Sequence, residues 1–260
     1  CPRHRRASRD ARQLTDLAVR SPRDPAAAGP PIVIVHGAMD RAANFERVRR
    51  RLADRQVITY DRRGYADSLR RPCSADLSRH VADLLEVIDG EPAVVIGHSF
   101  GGLVALGAAA RAPQLALSVG VYEPPQPWRP FWPPPPDWHT AAEAAEIFFR
   151  HNIGSGAWAR LPEQVKAERR AEGAALMADY NAAGKGMPFE LADILSPVVV
   201  AYGTDTAPHF ERASLALCDE IHGAVCVALD GASHGAHLSH PDAFASWVRQ
   251  VAGLASAAAN

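Results

Sequence analysis

Six short runs along the chain are dominated by apolar residues: IVIVHG (32–37), QVITYDRRG (56–64), AVVIGHS (93–99), LALSVGVYE (115–123), PVVVAYG (197–203) and VCVALDG (225–231). Val, Ile and Leu follow one another there without polar alternation. That pattern predicts parallel strands covered on both faces. QLTDLAVRS (13–21) adds a possible edge strand. Amphipathic stretches separate the runs. In ADLSRHVADLLEVID, Leu77, Val81, Leu84, Leu85 and Ile88 share one helical face. GGLVALGAAARAP (101–113) is Ala-rich, opens on glycines and stops at Pro113, as a buried helix does. FERVRRRLAD (45–54) and HPDAFASWVRQVAG (240–253) read the same way. Strands alternating with helices predict an α/β fold, with a doubly wound, mostly parallel sheet and helices on both faces.

One region departs from the alternation. From Pro124 to about Glu190 no buried-strand run occurs. The stretch opens with PPQPWRPFWPPPP and continues into helical segments, HTAAEAAEIFFRHNI and EQVKAERRAEGAALMADYNA. It predicts a helical cap over 124–190, inserted between two sheet strands of a core formed by 1–123 and 191–260. The proline-rich part, 124–138, makes a stiff hinge. The terminal ASAAAN is expected to fray.

Composition narrows the partners. Lys plus Arg is 28, Asp plus Glu 29, and the net charge -1. A balanced chain gives no support for nucleic acid or an anionic membrane as partner. The local exception, CPRHRRASRDAR, reads as a solvated basic tail. Cys1, Cys73, Cys218 and Cys226 have neither metal-ligand spacing nor the density of a disulfide framework, so buried or free thiols are expected. No apolar run reaches the roughly 20 residues of a membrane span. The chain opens on Cys1 without a charged-then-apolar leader, and the expected location is cytoplasmic. No phosphate loop, dinucleotide fingerprint or zinc spacing calls for a cofactor or metal.

Sites in a parallel α/β sheet form beyond the carboxyl ends of the strands. After the strand at 93–97 stands Gly97-His98-Ser99-Phe100-Gly101, a match to G-x-S-x-G. A serine on so sharp a strand-to-helix turn projects its hydroxyl outward, and small neighbours let strand and helix pass closely. Ser99 is the candidate nucleophile. After the strand at 32–35 stands His36-Gly37-Ala38-Met39. The N–H groups of Ala38 and Phe100 are the natural pair of oxyanion donors, and His36 reads as a structural histidine. After the last strand, GASHGAHLSHP offers His234, His237 and His240. His234, three residues past Gly231 and before the final helix, fits a general base. His237, His240 and His98 read as packing or capping residues, and Asp40, near the oxyanion loop, as a solvated loop residue or a substrate contact.

The order HG…GHSFGG…H, the run YDRRGYADS and the ending GASHGAHLSHPDAF resemble the α/β-hydrolase superfamily over about Asp16 to Ala252. The resemblance implies a Ser–His–acid triad with no cofactor. It implies the acid after the strand at 197–203, where Asp205 stands one residue early in Gly203-Thr204-Asp205-Thr206. In some relatives the acid follows the preceding strand, and here that position is Glu123 in VYEPP. Both carboxylates stay open. Dehalogenase and epoxide-hydrolase chemistry is excluded, because those branches need a carboxylate where Ser99 stands. Trp128, Trp132, Trp138 and Trp158 cluster with Phe131, Phe148 and Phe149 in the insertion. Many of these serve packing; Met39, Trp128, Trp132 and Phe148 are candidate substrate contacts. The expected activity is hydrolysis of an apolar carboxylic ester, lactone or thioester. C–C cleavage, a lyase step or cyclisation at the same site is the alternative, and a non-catalytic binding protein a third.

Overall fold

The computed structural model describes residues 17–20, 27–153 and 155–257. The basic segment 1–12 and most of the expected edge strand at 13–21 lie outside the described residues, as do 258–260. The elements run β1 (Val19–Arg20), β2 (Ile32–Val35), α1 (Glu46–Arg51), β3 (Val57–Tyr60), α2 (Leu77–Ile88), β4 (Ala93–His98), α3 (Phe100–Arg111) and β5 (Ala116–Tyr122). Four helices follow: α4 (Ala141–Ile153), α5 (Ser155–Arg160), α6 (Glu163–Ala171) and α7 (Gly173–Gly184). The chain then returns through β6 (Val198–Gly203), α8 (Pro208–Glu220), β7 (Val225–Leu229), α9 (Ala236–Ser239) and α10 (Pro241–Ala257).

The seven strands form one sheet in the order β1-β3-β2-β4-β5-β6-β7. Only β1 runs antiparallel. Alternate residues of each central strand serve opposite faces, and both faces are covered. Val33, Val35 and Val95 pack with α2 and α3, while Ile32, Ile34, Val94 and Ile96 pack on the α1 and α10 side. This is why the strands read as unbroken apolar runs. β7 breaks the rule. It is the sheet edge, and Val225 and Cys226 are exposed. Its apolar run has one strand neighbour and incomplete cover, a lateral position that periodicity does not encode.

The helical insertion between β5 and β6 includes one difference from the sequence reading. The single helix expected over 163–182 is two, broken at Glu172. Glu172 is buried and accepts from Arg41, Arg169 and the Ala66 N–H. At Gly173 a Cβ would sit 1.7 Å from the Ala141 carbonyl oxygen, so α7 can start against α4 only through glycine. The hinge segment is pinned by Gln126, whose buried Nε2 donates to the Ala213 carbonyl (2.7 Å). α8 was not foreseen, although Pro208 at its first turn and Phe210, Ala213 and Leu217 at helical spacing were legible. Among the described residues no helix is long and apolar enough to cross a membrane.

Candidate active site

Ser99 sits between the end of β4 and the start of α3 with φ 53° and ψ -126°, a conformation that costs a non-glycine residue about 1–3 kcal/mol. The crossing explains how it is held. A Cβ on Gly97 would lie 2.3 Å from the Gly101 carbonyl oxygen, and one on Gly101 2.2 Å from that of Val35. Strand β4, helix α3 and strand β2 therefore meet backbone to backbone, and the turn has nowhere to relax. A Cβ on Gly37 would touch Ser99 Cβ at 2.8 Å, so the loop after β2 is drawn directly against the serine. The N–H groups of Ala38 and Phe100 donate to no protein acceptor among the described residues. The positive end of α3 adds to the field at the same point.

The loop carrying Ala38 is fixed from behind by His36. Its Nδ1 faces the Gly37 carbonyl (2.7 Å), and its Nε2 accepts the Arg62 N–H (2.8 Å). Burial pushes its pKa down to about 3. The ring is thus a neutral structural brace. The Arg62 guanidinium completes the brace, donating to the carbonyls of His36 (2.9 Å) and Gly37 (3.1 Å). It also forms a buried two-pronged pair with Asp179 of α7 (3.0 and 2.6 Å), which accepts from the Tyr65 hydroxyl as well (2.7 Å). One side chain therefore ties the loop after β2 to the inserted helices.

His234 lies in the loop after β7. Its Nδ1 is 2.6 Å from Glu123 Oε2. Glu123 follows β5, fully buried and with φ 48°. Its carboxylate also accepts from the Gly203 N–H (2.9 Å) and the Thr206 hydroxyl (3.0 Å). A proton on Nδ1 donates to this carboxylate and leaves Nε2 bare. Burial lowers the imidazole pKa, and the hydrogen bond to Glu123 works against that shift. The His234 loop is gripped twice more. The Tyr122 hydroxyl donates to the Ser233 carbonyl, and His98 Nε2 faces the His234 carbonyl, each at 2.8 Å.

Asp205 is elsewhere. It is exposed, and its backbone N–H pairs with the Ala232 carbonyl (2.9 Å). The turn that carries it instead supplies Gly203 and Thr206 as donors to Glu123. Met39 and Phe148 come together in one apolar cluster with Tyr65, Trp138 and Leu176, where the insertion meets the loop after β2. Trp132 stands edge-on to Phe210 (5.2 Å), and Phe210 stacks on the His234 ring at 4.0 Å. Trp128 departs from the expected pocket lining. It packs against the main core, as do Met187, Phe189 and Leu191. Phe210 and Thr206 escaped the sequence reading; both belong to the turn and helix after β6.

Comparison with known proteins agrees with this architecture. The chain is 33% identical over 100 residues to an sn-1-specific diacylglycerol lipase of Xenopus tropicalis, covering 35% of this chain and 30% of that one. It is 32% identical over 112 residues to a 2-hydroxymuconate semialdehyde hydrolase of Pseudomonas sp. strain CF600, covering 40% and 39%. The matched stretches thus span well under half of these relatives. Its fold superposes on an enol-lactonase from Burkholderia xenovorans LB400 with a TM-score of 0.68 at 22% identity, over 90% of this chain and 95% of that one. A family model described as "Alpha/beta hydrolase family" matches residues 32–247, most of the chain, and the chain belongs to that family.

Proposed function

We propose that the protein is a serine hydrolase that cleaves a carboxylic ester, lactone or thioester of an apolar small molecule through an acyl-enzyme. The observation that carries this reading is the 2.6 Å contact from His234 to the buried Glu123, at the sheet end that also holds Ser99 on its strained turn. With Nδ1 held by the carboxylate, Nε2 takes the Ser99 proton as Oγ attacks the carbonyl carbon. The same nitrogen returns the proton to the leaving oxygen or sulfur, and water repeats the sequence in reverse roles. Ala38 and Phe100 N–H groups receive the oxyanion. Glu123 is the acid in this scheme and Asp205 has no part in it. The helices of the insertion serve as a cap, and Met39, Phe148, Trp132 and Phe210 supply an apolar surround that supports an apolar substrate.

The test is Ser99→Ala against short p-nitrophenyl esters, with fluorophosphonate labelling of the wild type. Activity lost in the variant and one phosphonylated serine support the proposal; an unimpaired variant sinks it. A second reading, hydrolysis of a C–C bond at the same residues, draws on the likeness to the semialdehyde hydrolase. It predicts turnover of a vinylogous diketone-type substrate with little p-nitrophenyl ester activity.

A further inference from the structure

Beside the serine, where Gly37 faces both Ser99 Cβ and His98 Nδ1, three buried side chains converge from three separate parts of the chain. Asp40 comes from the loop after β2, His98 from the end of β4 and His237 from α9. Their exposures are 7%, 5% and 2%. His237 Nε2 lies 3.2 Å and His98 Nδ1 3.6 Å from the same oxygen, Asp40 Oδ2. One ligand-type atom from each residue fits within 4.8 Å of the others. Asp40 Oδ2, His98 Nδ1 and both nitrogens of His237 make no well-aligned hydrogen bond among the described residues, and Asp40 and His237 meet as an ion pair by distance alone. Buried polar atoms left unpaired are costly, and several aimed at one point call for a shared partner.

The remaining atoms of the cluster are already committed. Asp40 Oδ1 accepts from the Arg41 N–H (2.9 Å) and from Asn44 Nδ2 (2.6 Å). His98 Nε2 faces the His234 carbonyl (2.8 Å), so Nδ1 is the nitrogen turned toward Asp40. His237 is stacked on Phe45 at 4.4 Å and 13°, so its ring cannot swing to another partner. Outer-sphere hydrogen bonds and locked rings are what orient histidine and carboxylate ligands around a metal.

We infer that Asp40, His98 and His237 form a binding site for a divalent first-row transition ion, with zinc the expected occupant. Two imidazoles and one carboxylate suit that class rather than magnesium or calcium. In tetrahedral zinc sites with bonds near 2.1 Å, ligand atoms stand about 3.3–3.5 Å apart. The spacings of 3.2 and 3.6 Å around Asp40 Oδ2 bracket that range. The ion would staple together the loops that carry Ala38, Ser99 and His234. Three protein ligands leave the fourth position of a tetrahedral ion open, and the inference stands apart from the reaction proposed above.

The test uses the full chain with any affinity tag removed. After chelator treatment the protein is titrated with Zn2+, followed by elemental analysis after dialysis, and separately with Co2+, followed by visible absorption. The expected result is about one zinc per chain, a nitrogen- and oxygen-ligated cobalt spectrum, and a Tm raised by roughly 5 °C or more at a hundredfold excess over Kd. Asp40→Asn and His237→Gln should each lower zinc affinity about a hundredfold or more, while His240→Gln, a neighbouring control, should leave it unchanged. Wild-type protein that takes up no zinc at millimolar concentration overturns the inference, whatever the variants do. So does zinc held equally by Asp40→Asn and His237→Gln, or a thiolate spectrum, which would place the ion at a cysteine.

Discussion

Replacing Asp179 by Ala removes the carboxylate that neutralises Arg62 while leaving the guanidinium in place. Both side chains are almost wholly buried, at 1% and 2% exposure, so water cannot step in. Two short hydrogen bonds to Arg62 and one from the Tyr65 hydroxyl disappear together. Breaking a buried pair from one side costs about 3–5 kcal/mol, because the surviving charge is left uncompensated. The orphaned Tyr65 hydroxyl adds about 1 kcal/mol. A total near 4–6 kcal/mol is a large share of the roughly 5–15 kcal/mol that holds a domain folded. For a chain of this size it corresponds to a Tm drop of roughly 10–20 °C. Circular dichroism during thermal and urea unfolding measures it, with Asp179→Asn as the comparison. The amide keeps the shape and one acceptor, and its loss should fall between wild type and Asp179→Ala. A drop of less than about 3 °C for Asp179→Ala, with an unchanged urea slope, would refute the claim that this pair locks the insertion to the core.

Four further outcomes follow from the same geometry. Glu123→Gln should lower kcat/KM on p-nitrophenyl esters by roughly 10³–10⁴-fold, whereas Asp205→Asn should change it less than about threefold, since that side chain is exposed while the imidazole is held by Glu123. Gly101→Ala forces a Cβ to 2.2 Å from the Val35 carbonyl oxygen, and should abolish soluble expression or lower stability by more than about 3 kcal/mol in urea titration. Phe210→Ala removes the ring stacked on His234 and should cost about 0.5–1.5 kcal/mol of stability, with a changed KM for bulky acyl groups read from a substrate series. His36 and His80 are held neutral, with pKa values pushed down to about 3 and about 4 by burial. The unfolded chain protonates them near 6.5, so stability is full above that pH and falls on acidification, by about 2 kcal/mol for each at pH 5. His80→Gln should remove about half of that loss when urea unfolding at pH 7 and pH 5 is compared.

How much of this was legible in the chain depends on how local each cause is. The central strands announced themselves because both of their faces are covered, so each residue votes apolar. Ser99 was legible because the elbow is a pentapeptide whose glycines are demanded by contacts with immediate neighbours. β7 carries the same apolar signature yet lies at the edge, since its lateral place in the sheet is a property of other strands. Glu123 and Asp205 could not be separated by sequence, because each ends a strand pointing at the same loop. The contact with His234 depends on a reversal of φ at one residue. Arg62 meets Asp179, and Asp40 meets His237, across more than a hundred positions of chain, and no spacing rule reaches that far. The start of α8 was different in kind. Pro208 and the apolar positions after it are a local signal for that helix.

The placement of Glu123 matters to anyone who would exchange the helical insertion for another. It is the last residue of the core before the chain departs, so the outgoing junction carries the carboxylate and its backbone reversal with it. The incoming junction, around the short turn before β6, carries no residue of the candidate site. The two splice points are therefore unequal. A chimera joined after Pro125 and re-entered near Ile194 preserves the carboxylate's seat. One joined three or more residues earlier exchanges the insertion at the loss of the carboxylate that holds His234 Nδ1.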